Sequence, residues 1–331
     1  MRWLLAVSLA LTSGLGYAKE LKVLLVMPRE EQAIESSFKD YLGKRGVSAR
    51  YESLSYSGKA ADAPALVRQI RERRPDLIYA WGTPTTLAVA GRHDAPTIAD
   101  IPIVFAEVTD PVGAGIVRQL EPSGRNVTGV VHIAPLAVQI NTLRAYRPFK
   151  RLGYIVNPKE PNTVLVGEAL QRLSQEQGFS VSSETLPLNA AGEADISGIS
   201  EIAKRLAKAQ ADFLYIGPST FLAFTHRDVV TKAALDARLP TFCATESIVR
   251  QAQCLVGISS NAANLGRFVG FKAASILVEG KDVATMPVET LKRFSLLINM
   301  PVAAALDLYP PLPLLNVAEV LGAPGAMASE K

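Results

Sequence analysis

Residues 101–130 read IPIVFAEVTDPVGAGIVRQLEPSGRNVTGV. The apolar, β-branched run Ile103-Val104-Phe105-Ala106 has the length and composition of a buried strand. It stops at Thr109-Asp110-Pro111, where Asp110 suits a helix N-cap and Pro111 the first helical position. After the Glu121–Gly124 loop, Asn126–Val130 signals a second strand.

The same unit recurs on both sides of this stretch. Val23–Met27 leads into Pro28-Arg29-Glu30 and a helix to about Lys44, and Leu77–Ala80 into Trp81-Gly82-Thr83-Pro84. Further along, Gly153–Val156 precedes Asn157-Pro158, Phe213–Ile216 precedes Gly217–Thr220, and Thr241–Ala244 precedes Thr245-Glu246-Ser247. Leu255–Ile258 ends at Ser259–Asn261, before a long helix to about Glu279. Strands alternating with helices predict an α/β fold of parallel sheets covered on both faces. The rhythm breaks at Asn126–Ile133, where the chain is expected to leave one lobe for another. A return is expected near Cys254–Ser260, and the Phe294–Met300 strand with its Pro-rich tail completes a third crossing.

The chain begins MRWLLAVSLALTSGLGYA, with one early positive charge, an apolar core and a small-residue end. This reads as a signal peptide over residues 1–18, too short for a comfortable membrane span. No cysteine lies near the cleavage site to take a lipid. The formal charge of +4 falls by one, to +3, when Arg2 is removed, and Lys and Arg are scattered among acids. That excludes a polyanion binder, so no nucleic-acid partner is expected. Arg68, Arg71, Arg73 and Arg74 read as a solvated helix end.

About 313 mature residues exceed what one core usually fills, so two domains are expected. Cys243 and Cys254 most simply form one disulfide in an exported protein, two buried thiols being the alternative. The three histidines show no ligand spacing with them, so no metal site is expected. No G-x-S-x-G elbow, H-E-x-x-H helix or P-loop is present, which disfavours an enzyme.

The V-T-D-P-V turn at Val108–Val112, followed by the R-N-V-T-G strand signal, resembles the tryptophan/tyrosine-like substrate-binding proteins of ABC importers. The resemblance covers about residues 20–320. It implies a two-lobed, type I periplasmic-binding-protein fold that closes by hinge bending from an open form. It implies capture, without chemistry, of a small polar ligand, an amino acid or related molecule; no cofactor and a monomer are expected, and the signal peptide points to the periplasm. The ligand is then handed to an ABC permease in the inner membrane; presentation to a membrane sensor is the alternative. The lobes are expected over 19–131 with about 256–290, and over 132–255. The segment 291–331 is left unassigned to either lobe.

Ligands of open parallel sheets bind at the carboxyl ends of the strands. The expected contacts are therefore Trp81, Gly82, Thr83, Thr109, Asp110, Asn157, Ser219, Thr220, Thr245 and Glu246. Several have a second reading: Trp81 as core, Thr83 and Asp110 as helix caps, Glu246 as a surface acid. Capping is the simpler role for Asp110, whereas Glu246 is the favoured partner for a cationic ligand group. Arg29, where the family has an apolar or aromatic turn, either pairs with an anionic ligand or lies exposed beside Glu30. Exposure is the simpler of the two.

Overall fold

The computed structural model describes residues 20–322, so the expected signal peptide lies outside the described residues. The first half of the chain runs β1 (Leu21–Met27), α1 (Ala33–Lys44), β2 (Ala49–Ser55), α2 (Ala63–Arg73), β3 (Leu77–Trp81) and α3 (Thr83–Ala90). A short hairpin, β4 (Gly91–Arg92) and β5 (Ala95–Pro96), precedes β6 (Ile103–Val108) and β7 (Val127–Val131). Then follow α4 (Leu136–Tyr146), β8 (Arg151–Val156), α5 (Pro161–Gln177), β9 (Ser180–Thr185), α6 (Ile199–Lys208) and β10 (Phe213–Ile216). After a π-helical turn over Phe221–Thr225 come α7 (Arg227–Asp236), β11 (Thr241–Cys243), α8 (Glu246–Gln251) and β12 (Val256–Ser259). The chain finishes with α9 (Ala262–Leu277), β13 (Glu289–Thr290), β14 (Ser295–Asn299), α10 (Met300–Leu306), α11 (Leu312–Leu315) and β15 (Glu319–Leu321).

Besides the β4–β5 hairpin, two larger sheets form among the described residues, one per lobe. The first has the order β13-β7-β6-β3-β1-β2 and is parallel throughout. The second has the order β15-β14-β12-β11-β10-β8-β9, parallel except where β14 runs against β12. Strands β3 and β7 are buried at every position, as a strand covered on both faces must be, while the edge strand β2 mixes polar and apolar residues. Alternate residues feed two cores. Leu24, Val26, Ile78 and Phe105 pack on one face of the first sheet, and Leu25, Tyr79 and Val104 on the other. The second sheet is flanked in the same way.

Three crossings join the lobes. The first follows Val131. The second follows Ser259, because β12 pairs with β11 in the second sheet. The third lies between Thr290 and Ser295: β13 joins β7 in the first sheet, whereas β14 and β15 join the second. The C-terminal strand left unassigned by sequence thus belongs to the second lobe. Ser260 Oγ donates to the carbonyl of His132 at 2.6 Å, and Leu291 N to that of Val131 at 3.4 Å, so the crossings lie side by side. Beyond the second crossing, α9 packs on α1 of the first lobe. A Cβ on Gly266 would lie 2.1 Å from the carbonyl of Ile34, so only glycine permits this approach.

The helix expected from Pro111 does not form. Asp110 has no helix to cap; its Oδ1 accepts from Gly113 N at 2.7 Å and closes a turn instead. Residues 111–115 make only turns, because Gly115 enters the left-handed region (φ +73°) and ends them. Cys243 and Cys254 form the disulfide, tying β11 to the segment that enters β12.

Candidate functional site

The carboxyl ends of β1, β3 and β6 form the first lobe's side of a cleft. Register places Ala80 beside Val26 and Ala106 beside Trp81, so Arg29, Trp81 and Glu107 follow one another across three adjacent strands. Arg29 is not exposed: its side chain is 11% accessible and forks onto the fully buried Glu35, at 2.8 and 3.1 Å. Glu35 also accepts from the Tyr79 hydroxyl at 2.6 Å and from Gln32 N at 2.8 Å. Burial first, and the neighbouring Glu35 carboxylate second, push the Tyr79 phenol well above its ordinary range. The Arg29 guanidinium then lies against two rings, 4.8 Å from the Trp81 centroid and 5.4 Å from that of Phe224 in the other lobe.

Glu107 sits at a bulge where the β6–β7 register shifts, with a left-handed backbone (φ +57°). For a residue other than glycine this conformation costs on the order of 1 kcal/mol, a strain that recurs where a side chain is aimed for use. Its Oε2 lies 2.8 Å from Nε2 of His132, a buried residue of the first crossing.

The second lobe presents a turn held from within. Glu160 is buried, accepts from Ser219 Oγ, and accepts from Phe221 N at 2.9 Å. Burial raises its carboxyl above the ordinary value, while the bonds from Ser219, Phe221, Thr220 and Asn157 work against that rise. Thr163 Oγ1 donates to the carbonyl of Asn157 at 2.8 Å, and Asn162 Nδ2 to that of Pro218 at 2.5 Å. This network fixes the π-helical turn that carries Phe224 to within 4.5 Å of Trp81, ring centroid to ring centroid.

Between the lobes lies a cavity lined by Trp81, Thr83, Glu107 and Thr109 on one side and by Asn162, Pro218, Ser219, Thr220, Phe224 and Thr245 on the other. Its volume, about 10 Å³, is that of one water. Trp81 Nε1, Thr83 Oγ1, Thr109 Oγ1, Asn162 Oδ1 and Thr245 Oγ1 are all buried here without a hydrogen-bond partner. Buried polar atoms are ordinarily satisfied, so five converging on one space from two lobes mark a place built to receive polar groups.

Of the expected contacts, Trp81, Thr83, Thr109, Ser219, Thr220 and Thr245 line this cavity. Thr83 is not the cap of α3: Gly82 holds that position, which leaves the Thr83 hydroxyl unengaged. Gly82 meets the second lobe closely, a Cβ there falling 3.6 Å from Thr220 Oγ1. Asn157 is buried and shapes the turn, its Oδ1 accepting from Lys159 N at 2.9 Å. Asp110 is engaged in its turn with Gly113, and Ser219 largely in holding Glu160. Glu246 does not face the cavity. One oxygen takes Arg250 Nε at 2.6 Å and the other takes Ala262 N at 2.7 Å, so its carboxylate secures α8 to the start of α9. The acid that does line the cavity is Glu107, marked in sequence as a lone carboxylate ending an apolar run. Asn162 and Phe224 lie beyond the strand-end turns and carry no comparable signal.

Comparison with known proteins agrees with this architecture. The family model for ABC transporter substrate binding proteins matches residues 27–320. A tyrosine-binding protein of Clostridioides difficile is 29% identical over 242 residues, which are 71% of this chain and 64% of that protein. The chain thus spans just under two thirds of that relative's length. The crystal structure of a conserved domain protein from Vibrio cholerae superposes with a TM-score of 0.80 at 27% identity, covering 91% of this chain and 99% of that one. An ABC domain from Streptococcus pneumonia in complex with L-Trp shares the fold, with a TM-score of 0.76 at 20% identity over 90% of this chain and 99% of that one. Among the described residues no helix is long and apolar enough to cross a membrane. The match over nearly all the described residues, on a two-lobed fold with parallel sheets, shows that the chain belongs to the substrate-binding proteins of ABC transporters, which bind small molecules rather than transform them.

Proposed function

We propose that this chain captures an amino acid between its lobes in the periplasm and delivers it, as a monomer, to an ABC permease of the inner membrane. The observation that carries the reading is the set of five unpartnered buried polar atoms facing one another across the cleft. Glu107 suits an α-ammonium group. The amino end of α3, beside the Thr83 hydroxyl, suits an α-carboxylate, because free N–H groups and the helix dipole favour an anion there. Trp81 and Phe224 supply apolar walls. The tyrosine-binding relative points to the same ligand class. Admission requires the lobes to part, and the three adjacent crossings are where such bending takes place.

A thermal-shift screen of the purified protein against the twenty amino acids tests the reading. A ligand at 100 times its Kd adds about 2.7 kcal/mol to stability, a rise of several degrees in Tm. No shift with any of the twenty contradicts it.

A further inference from the structure

We propose that Arg29 is a specificity-determining residue that reads a hydrogen-bond acceptor at the far end of the ligand's side chain. The inference rests on the amino-acid reading above and deepens it. Arg29 Nε and Trp81 Nε1 are both buried N–H donors without a partner. They belong to one assembly, the guanidinium lying 4.8 Å from the Trp81 ring. The other guanidinium nitrogens are committed to Glu35 and the carbonyl of Glu30, so the head group is fixed in place. Its remaining face looks across the cleft at Phe224, 5.4 Å away.

The layout of the first sheet sets Arg29 apart from the carboxylate. Arg29 follows β1 and Glu107 lies near the end of β6, with β3 and its Trp81 between them, so their backbones stand two strand spacings of ~4.8 Å, roughly 10 Å, apart. An α-ammonium and an α-carboxylate share one carbon and cannot span that gap. If the ammonium meets Glu107, it is the side chain that reaches Arg29 and Trp81. Two N–H donors, one of them cationic, favour an oxygen acceptor: a carboxylate, an amide carbonyl or a phenolic oxygen. A bare hydrocarbon end would leave both donors buried and unpaired, and a site built to bond a polar group rejects the analogue lacking it.

The test is titration calorimetry with ligand pairs alike in shape and different in the acceptor: L-tyrosine against L-phenylalanine, and L-glutamine and L-glutamate against L-norleucine. The wild-type protein should bind the acceptor-bearing member at least about tenfold more tightly, the effect of one hydrogen bond to a charged group. Arg29→Met keeps length and packing and should bring the ratio to within about threefold. Should that change unsettle the buried Glu35 carboxylate, Arg29→Met with Glu35→Gln removes both charges and should show the same levelled ratio. Equal wild-type affinity for both members of a pair, or an undiminished preference in the folded variants, overturns the proposal while leaving the amino-acid reading intact. Failure of the wild-type protein to bind any of the five overturns it too, and the thermal-shift screen then decides whether the amino-acid reading falls with it.

Discussion

The two rims of the cleft are built on opposite principles. On the first lobe, Trp81, Thr83 and Thr109 keep polar atoms buried and unspent, and Glu107 holds a strained backbone beside them. On the second lobe, Glu160, Ser219, Asn157 and Thr163 satisfy one another, and of the residues lining the cavity Asn162 Oδ1 and Thr245 Oγ1 are left over. Polar groups already paired gain little from a ligand, whereas unpaired ones gain a full hydrogen bond. On the proposed reading, the first lobe therefore does most of the recognition. The second is a prebuilt cover whose internal bonds set the position of Phe224.

The largest expected effect tests the second lobe's rigidity. Replacing Cys243 and Cys254 together by alanine opens the loop that carries Thr245, and should lower stability by about 2–4 kcal/mol in chemical denaturation. Affinity for the amino acid should fall far less, below about threefold, since one hydroxyl is repositioned. A loss of affinity as large as the loss of stability would mean that the second lobe reads the ligand after all.

Next comes the contrast between the rims themselves. Glu107→Gln removes the carboxylate proposed for the ammonium group, and calorimetry should show affinity reduced about 10- to 100-fold, as for a hydrogen bond to a charged group. Thr245→Ala, on the opposite rim, should weaken binding by about tenfold or less. Reversal of that order breaks the comparison.

The smallest effect is a pH dependence. Burial raises the folded-state pKa of Glu160 above its unfolded value, so the folded protein binds the proton more tightly than the unfolded chain. The stability this group contributes is fully present below the unfolded pKa and is lost as pH rises through the folded one. Denaturation midpoints of the wild-type protein, measured against Glu160→Gln, should therefore gain as pH falls from neutrality toward the ordinary carboxylate range. A difference that runs the other way would show that the bonds from Ser219 and Phe221 outweigh burial.

Much of the scaffold was legible because buried parallel strands are short apolar runs closed by turn residues. Ile103–Ala106 and Leu77–Ala80 fall inside β6 and β3 for that reason. Asp110 makes the side-chain bond of a cap, but to a turn and not to the expected helix. The helix after it was misread because Gly113 and Gly115, two residues apart, weigh more than one good cap. Strand-end placement brought Trp81, Thr83, Thr109 and Thr245 to the cavity between the lobes, since backbone topology alone puts them there. It could not assign side chains competing for partners. Glu246 lost its carboxylate to Arg250 and Ala262, and Arg29 was drawn inward by Glu35, a partner six residues away on the next helix. Phe224 reaches the cleft only because a π-helical turn re-aims it, a geometry with no sequence mark here.

A crystal structure of the protein grown with the amino acid giving the largest thermal shift tests the central claim most directly. The ligand should lie between Trp81, Thr83, Glu107 and Thr109 on one side and Asn162, Phe224 and Thr245 on the other, with its ammonium at Glu107 and its side chain directed toward Arg29. Density outside that space, for instance in the outer groove beside Ser57 and His226, would contradict the account.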